Sequence, residues 1–370
     1  MKKNVFVACL LLTTSLFAAE RWTAEKANEW YGRQPWLVGA NFVPSTAINQ
    51  LEMWQADTFD PKTIDRELGF AEKIGMNTMR VFLHDIPWQE DANGYFKRVD
   101  QFLDICKQHH IRPLFVIFDG VWLPNPKAGK QPSPIPGLHN SGWVQSPGRA
   151  ILEDPAKQDK LKPYVVALLT RFKNDSRVLA WDLFNEPDNA NREAYGAEGN
   201  HTELAPADKA KFATQLLRKT FAWAREVKPS QPVTAGVWLG DYLGHPSELQ
   251  KLSLDESDVI SFHNYDGAGE MAKRVEGLAK LGRPVLCTEY MARGNKSTFQ
   301  GILPILKEHR VAAYNWGLVN GKSQTIYPWD SWKRHYTNEP SVWFHDVFRA
   351  DGTPYSSEET QLIRTLSGQK

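Results

Sequence analysis

Apolar, β-branched runs alternate with segments of helical period from about residue 36 to the end of the chain, as when strands and helices take turns around a parallel sheet. The runs at 36–42, 77–83, 112–118, 178–184, 232–238, 259–263, 284–289 and 311–316 read as strands. Eight is the number that closes an α/β barrel of the (β/α)8 type. The intervening segments carry helix start signals: Asp60-Pro61 and Asp154-Pro155 each place a capping carboxylate before a proline, which has no N–H to leave unbonded. A doubly wound open sheet also alternates, but it usually shows a glycine-rich turn after its first strand, and this chain has Val43-Pro44-Ser45-Thr46 there. The pattern predicts one (β/α)8 domain over residues 20–370.

Three connections, about 119–153, 187–206 and 318–340, are long and rich in Pro, Gly, Asn and Trp. They follow strands three, four and eight, so in a barrel all lie at the carboxyl-terminal face, where such enzymes keep their chemistry.

The amino terminus has a different pattern. Met1-Lys2-Lys3 precedes an apolar stretch from Val5 to Phe17, and Ala18-Ala19 follows. This reads as a secretory signal over residues 1–19, cut after Ala18 or Ala19, and implies a secreted or periplasmic protein. Lipoprotein anchoring at Cys9 is disfavoured by the few apolar residues before it. No other run approaches the roughly 18 apolar residues of a membrane span. The other cysteines, Cys106 and Cys287, lack metal or redox spacing and read as buried free thiols. With 44 basic and 43 acidic side chains, the chain has no electrostatic footprint for nucleic acid. A neutral partner suits that balance.

The candidate chemistry lies at strand ends. Asn185-Glu186 closes the fourth run before Pro187, and Glu289 closes the seventh. Retaining hydrolysis of a glycosidic bond needs one protonated and one ionised carboxyl about 5 Å apart. Glu186 and Glu289 meet that need if their strands face each other across the barrel; otherwise each is a solvated acid. His263 and Tyr265 are two residues apart and share a face, so the tyrosine can donate to a nucleophilic carboxylate. Arg80 is a charge inside an apolar strand and needs a carboxylate partner. Glu289, its pKa lowered by the pairing, is the expected partner, with a purely structural ion pair to a nearby acid as the rival. Asn185 and Glu186 are adjacent, so both can line a site only if the strand ends or bulges there. His84 shares a face with Arg80 and is a candidate sugar contact, or else a core histidine.

Trp88, Trp122, Trp143, Trp238, Trp316, Trp329 and Trp332 fall at predicted strand ends or in the following loops. Sugar faces stack on such rings, and Trp316 is the first choice for a stacking floor. No His-Glu-x-x-His helix or Gly-x-Ser-x-Gly elbow occurs, and the proposed chemistry requires no metal or organic cofactor.

Asn77-Thr78-Met79-Arg80, Trp181-Asp182-Leu183-Phe184-Asn185-Glu186-Pro187, His263-Asn264-Tyr265, Thr288-Glu289-Tyr290, Trp343-Phe344-His345-Asp346 and Asp351-Gly352-Thr353-Pro354-Tyr355 occur in that order. Together they resemble glycoside hydrolase clan A, most closely the family 5 cellulases and mannanases. The resemblance implies a retaining β-glycosidase with Glu186 as acid/base and Glu289 as nucleophile. It also implies Arg80, Asn185, His263, Tyr265 and Trp316 around the reacting sugar. After strand three the chain reads Phe118-Asp119-Gly120-Val121-Trp122, where family 5 cellulases commonly carry a histidine signature. Mannan, xylan and other β-glucans therefore stay open as substrates, and Asp119 and Trp122 become candidates for subsite recognition. The expected partner is a β-linked carbohydrate. Transglycosylation at the same site and a non-catalytic carbohydrate-binding barrel are the alternatives, and oligomeric state and the choice of internal or terminal cleavage are left open.

Overall fold

The computed structural model describes residues 20–190 and 206–368. The expected leader, residues 1–19 with Cys9, Ala18 and Ala19, lies outside the described residues, as does most of the connection after the fourth strand. The strands are β1 (Val38–Asn41), β2 (Thr78–Phe82), β3 (Arg112–Val116), β4 (Ala180–Asp182), β5 (Val233–Thr234), β6 (Ile260–His263), β7 (Val285–Tyr290) and β8 (Ala312–Trp316). They pair in parallel in the order β5-β4-β3-β2-β1-β8-β7-β6. A bridge between Val237 and Phe262 joins the two edges, so the sheet is a nearly closed (β/α)8 barrel. Each apolar run overlaps one strand; several extend past its end, as where Leu183 and Phe184 stay fully buried beyond β4, while β7 continues one residue past its run, to Tyr290.

Strand alternation sorts the core into two layers. Phe82, Leu114, Val116, Ala180, Leu286, Ala312 and Tyr314 point inward and pack on one another. Their neighbours Met79, Val81, Phe115, Trp181, Cys287 and Ala313 point outward, beneath the helices. The expected start signals operate: Asp60 accepts from Thr63 N ahead of the helix Pro61–Lys73, and Asp154 accepts from Ala156 N ahead of Pro155–Gln158. Cys106 and Cys287 are free and buried. No helix among the described residues is long and apolar enough to cross a membrane.

One element carries no signal used above. The helix Ala24–Gly32 closes the amino-terminal mouth, where Trp22, Trp30 and Tyr31 pack with Leu37, Leu179 and Val259, residues that immediately precede strands or lie one removed from them. Trp22 N donates to Asp258 Oδ1 (2.8 Å) and Tyr31 OH to the Arg310 carbonyl (2.6 Å), tying this floor to the last third of the chain.

Candidate active site

At the opposite mouth, β4 ends at Asp182 and its chain runs on beside the segment after β3, where Asn185 N donates to Phe118 O (2.8 Å) and Gly120 N to Asn185 O (2.9 Å). Glu186 then takes a left-handed φ of 39°. This break in alternation lets consecutive Asn185 and Glu186 both line one cavity of about 620 Å³. Gly120 allows the close approach, since a Cβ there would sit 2.4 Å from Glu186 O. Glu289 reaches the same cavity from β7, where the register with both neighbouring strands shifts.

Arg80 organises the floor. It is fully buried, and its five N–H groups all find acceptors: Nη1 donates to Asn41 Oδ1 (2.9 Å) and Glu289 Oε1 (2.8 Å), Nη2 to Asp182 Oδ2 (2.7 Å) and Asn185 Oδ1 (2.7 Å), and Nε to Asp182 Oδ2 (3.1 Å). Both expected partnerships are therefore present, the pairing with Glu289 and an ion pair with another acid, Asp182. Because Asn185 Oδ1 accepts from Arg80, its Nδ2 must face the other way, and it donates to Asp119 Oδ1 (2.9 Å).

The two glutamates have different surroundings. Glu289 accepts from Arg80 and, at Oε2, from the Tyr265 hydroxyl (2.7 Å). Burial raises its pKa, contrary to the lowering expected from the sequence, while His263, Arg80 and Tyr265 oppose the rise. Glu186 accepts from Asn189 Nδ2 at Oε2 (2.7 Å), and its Oε1 lies 2.7 Å from His263 Nδ1. Burial pushes Glu186 up to about 7, with Asn189 and Arg80 pulling the other way. Burial also pushes His263 down to about 4, so the ring sits neutral between the carboxyls. One oxygen of each glutamate and a nitrogen of His263 lie within 4.8 Å of one another. Such a trio can ligate a cation, but here Arg80 already supplies a fixed positive charge to Glu289.

A buried acid and a hydrogen-bonded carboxylate at this separation can act on one anomeric carbon. The sequence model of the Cellulase family, glycosyl hydrolase family 5, matches residues 38–333. The chain belongs to glycosyl hydrolase family 5.

A comparison with curated protein sequences finds no match. Among solved structures, the endo-β-1,4-mannanase from Thermotoga petrophila is similar at a TM-score of 0.58 and 13% identity, over 92% of this chain and 77% of that one. The exo-β-1,4-mannosidase from Opitutaceae bacterium strain TAV5 reaches 0.57 and 18%, over 90% of this chain and 59% of that one. The β-mannanase from the blue mussel Mytilus edulis reaches 0.55 and 18%, over 84% and 94%. At these identities the likeness concerns the barrel.

Within this family 5 barrel, Arg80, Asn185, Glu186, His263, Tyr265 and Glu289 converge as the sequence implied. Trp316 lines the cavity, held edge-on by Phe82 and Trp143. Trp122, Trp238 and Trp329 line it as well. Other expectations need correction. His84 is not a sugar contact: it is fully buried, with Nδ1 accepting from Ile86 N to cap the helix Asp85–Glu90 and Nε2 3.0 Å from Gln145 O. Asp119 does not reach the cavity either. Its oxygens accept from Gln50, Trp143, Val121 and Asn185, so it anchors the Asn185 amide from behind. Trp143 is buried against that carboxylate, and Trp88 packs on Tyr164 beneath the helices.

Four contributors escaped the sequence reading: Asn41, Asp182, Asn189 and Lys209. Lys209 is buried, and its Nζ donates to the carbonyls of Gly120 (2.6 Å) and Asn189. It thus ties the loop after β3 to the loop bearing Asn189. A signal existed, since Lys209 stands at i, i+4, i+7 and i+8 with buried Ala213, Leu216 and Leu217, a cation on an apolar stripe. Lys209→Met should leave both carbonyls short of a donor and lower unfolding stability by about 1–3 kcal/mol, read from the urea midpoint. An unchanged midpoint would remove this bracing role.

Proposed function

We propose that this protein hydrolyses β-glycosidic bonds with retention of anomeric configuration. Glu186, protonated, donates its proton to the glycosidic oxygen while a Glu289 oxygen attacks the anomeric carbon, giving a glycosyl ester and a free alcohol. Glu186, now ionised, takes a proton from water, whose oxygen displaces Glu289 and regenerates both groups. The observation that carries this reading is the asymmetry of the pair: burial holds Glu186 up to about 7, while Glu289 accepts from both Arg80 and Tyr265. A carboxylate receiving two such bonds is the easier of the two to keep ionised. Asn185 has a second amide hydrogen to offer a sugar hydroxyl. The leader at residues 1–19 supports action outside the cytoplasm on external carbohydrate. The similarity to mannanases and mannosidases makes β-mannosides the first substrate class to test.

Incubation with a 2-deoxy-2-fluoro-β-glycosyl fluoride should attach one sugar to the Glu289-bearing peptide, detected by mass spectrometry. Failure of every β-configured reagent to label would sink the proposal. The pH profile gives a second check. The acid must hold its proton, so kcat/KM should fall about tenfold per pH unit above about 7, as Glu186 ionises. Asn189 favours the ionised form, so Asn189→Ala should move this alkaline limb to higher pH. Movement to lower pH would contradict the role of Asn189.

A further inference from the structure

The leaving group must stand beside the acid that protonates it. Glu186 follows β4, and in the strand order β8 lies across the barrel from β4. The glycone ring therefore extends away from Glu186, toward the loops after β1 and β8, where the long loop after β3 crosses over to join them. Asn140 N donates to Ser323 O (2.9 Å), His139 N to Ser331 Oγ (3.1 Å) and Lys322 N to Ser45 O (3.0 Å). Trp122 stacks on Trp332 at 5.3 Å and 10°. Two glycines permit the closest crossings: a Cβ on Gly137 would meet Tyr336 O at 1.9 Å, and one on Gly321 would meet Ser45 O at 2.3 Å. Joined in this way, the loops form a wall on the glycone side of the cavity, to which Trp122, His139 and Asn140 contribute.

Two buried polar atoms among the described residues of this wall have no partner, Trp332 Nε1 and Asn140 Oδ1, and the second belongs to a residue that lines the cavity. Asn140 is 1% exposed and lines the cavity, and its Oδ1 is buried without a hydrogen bond. Its orientation is fixed: His139 Nδ1 can only donate to the Tyr327 carbonyl (2.9 Å), so His139 Nε2 accepts from the Asn140 amide nitrogen (3.3 Å) and Oδ1 is left as a free acceptor.

Resting on the glycosidase reading, we infer that the enzyme acts at chain ends, releasing one sugar at a time from the non-reducing terminus, with Asn140 Oδ1 accepting a hydroxyl of that terminal ring. The neighbouring structures include both endo- and exo-acting enzymes by name, so the loops carry this distinction and the likeness does not. Asp188 and Asn189 after β4, and Trp238 and Leu239 after β5, line the cavity on the side of the leaving chain.

The test uses β-1,4-linked mannohexaose and cellohexaose tagged with a fluorophore at the reducing end. The tag should shorten by one residue at each early step, with monosaccharide as the sole released sugar. Capping the terminal 4- and 6-hydroxyls should slow cleavage at least about 100-fold, since the capped ring meets a closed wall. Asn140→Gly, which suits the backbone φ of 48° at this position, should lower kcat/KM about tenfold, with only a small fall in melting temperature from the lost amide bond to His139. Early tagged fragments shortened by several residues, or a capped substrate cut at the uncapped rate, overturn terminal action. If covalent labelling of Glu289 persists in that case, the glycosidase reading survives. If neither labelling nor cleavage occurs, both fail.

Discussion

Glu289→Ala should lower kcat by about 10⁴- to 10⁶-fold, the scale of loss when a covalent nucleophile is removed, and azide should restore turnover with formation of the α-glycosyl azide. The stereochemistry follows from the two faces of the sugar. Without Glu289, azide enters the vacated face and displaces the leaving group directly, inverting the β-substrate once. Glu186→Ala should give the opposite anomer. Its glycosyl ester still forms from substrates with a good leaving group, and azide then opens that ester from the other face to give the β-azide. The alanine at 289 leaves Arg80 paired with Asp182, so the floor keeps one of its ion pairs and the loss reads on chemistry. Chromatography of the azide products decides the assignment. The same anomer from both variants, or an undiminished rate for Glu289→Ala, sinks it.

Arg80→Met should cost about 3–5 kcal/mol of stability at neutral pH, the usual consequence of removing one partner from a buried ion pair. Four acceptor residues, Asn41, Asp182, Asn185 and Glu289, lose their shared donor at once. Asp182 has no exposure and Glu289 little, so water replaces few of those bonds. The deficit should shrink on acidification, because protonating Glu289, whose pKa burial already raises, removes its uncompensated charge. Urea unfolding at several pH values measures both effects. A deficit that grows toward low pH would contradict the account of Arg80 as the cation that holds these acids in place.

The barrel was legible in the chain because parallel strands buried on both faces must be apolar throughout, and a charge such as Arg80 stands out against them. The acids were legible for a related reason, as polar residues where an apolar run stops. Asp182 was harder to see, since it lies within its run and only an inward-facing partner two strands away reveals its purpose. His84 and Asp119 were placed on the correct strand ends but given the wrong direction. Each turns back to satisfy backbone or side-chain donors behind the cavity, a choice that strand period does not encode. Asn189 and the wall residues His139 and Asn140 sit on irregular loops. Their positions depend on crossings such as Gly137 against Tyr336, which join segments some two hundred positions apart.

The floor helix carries a consequence for how the molecule assembles. Trp22 meets Asp258, Asn28 meets Gly282 and Tyr31 meets Arg310, so this segment takes these hydrogen-bond partners from far along the sequence. Contacts spanning such sequence distances slow folding, because a large loop must close before any of them forms. Until the later strands have docked, the lower rim is therefore incompletely covered, and Trp22, Trp30 and Tyr31 stay partly wet. The floor is thus sealed late, by the same docking that closes the barrel.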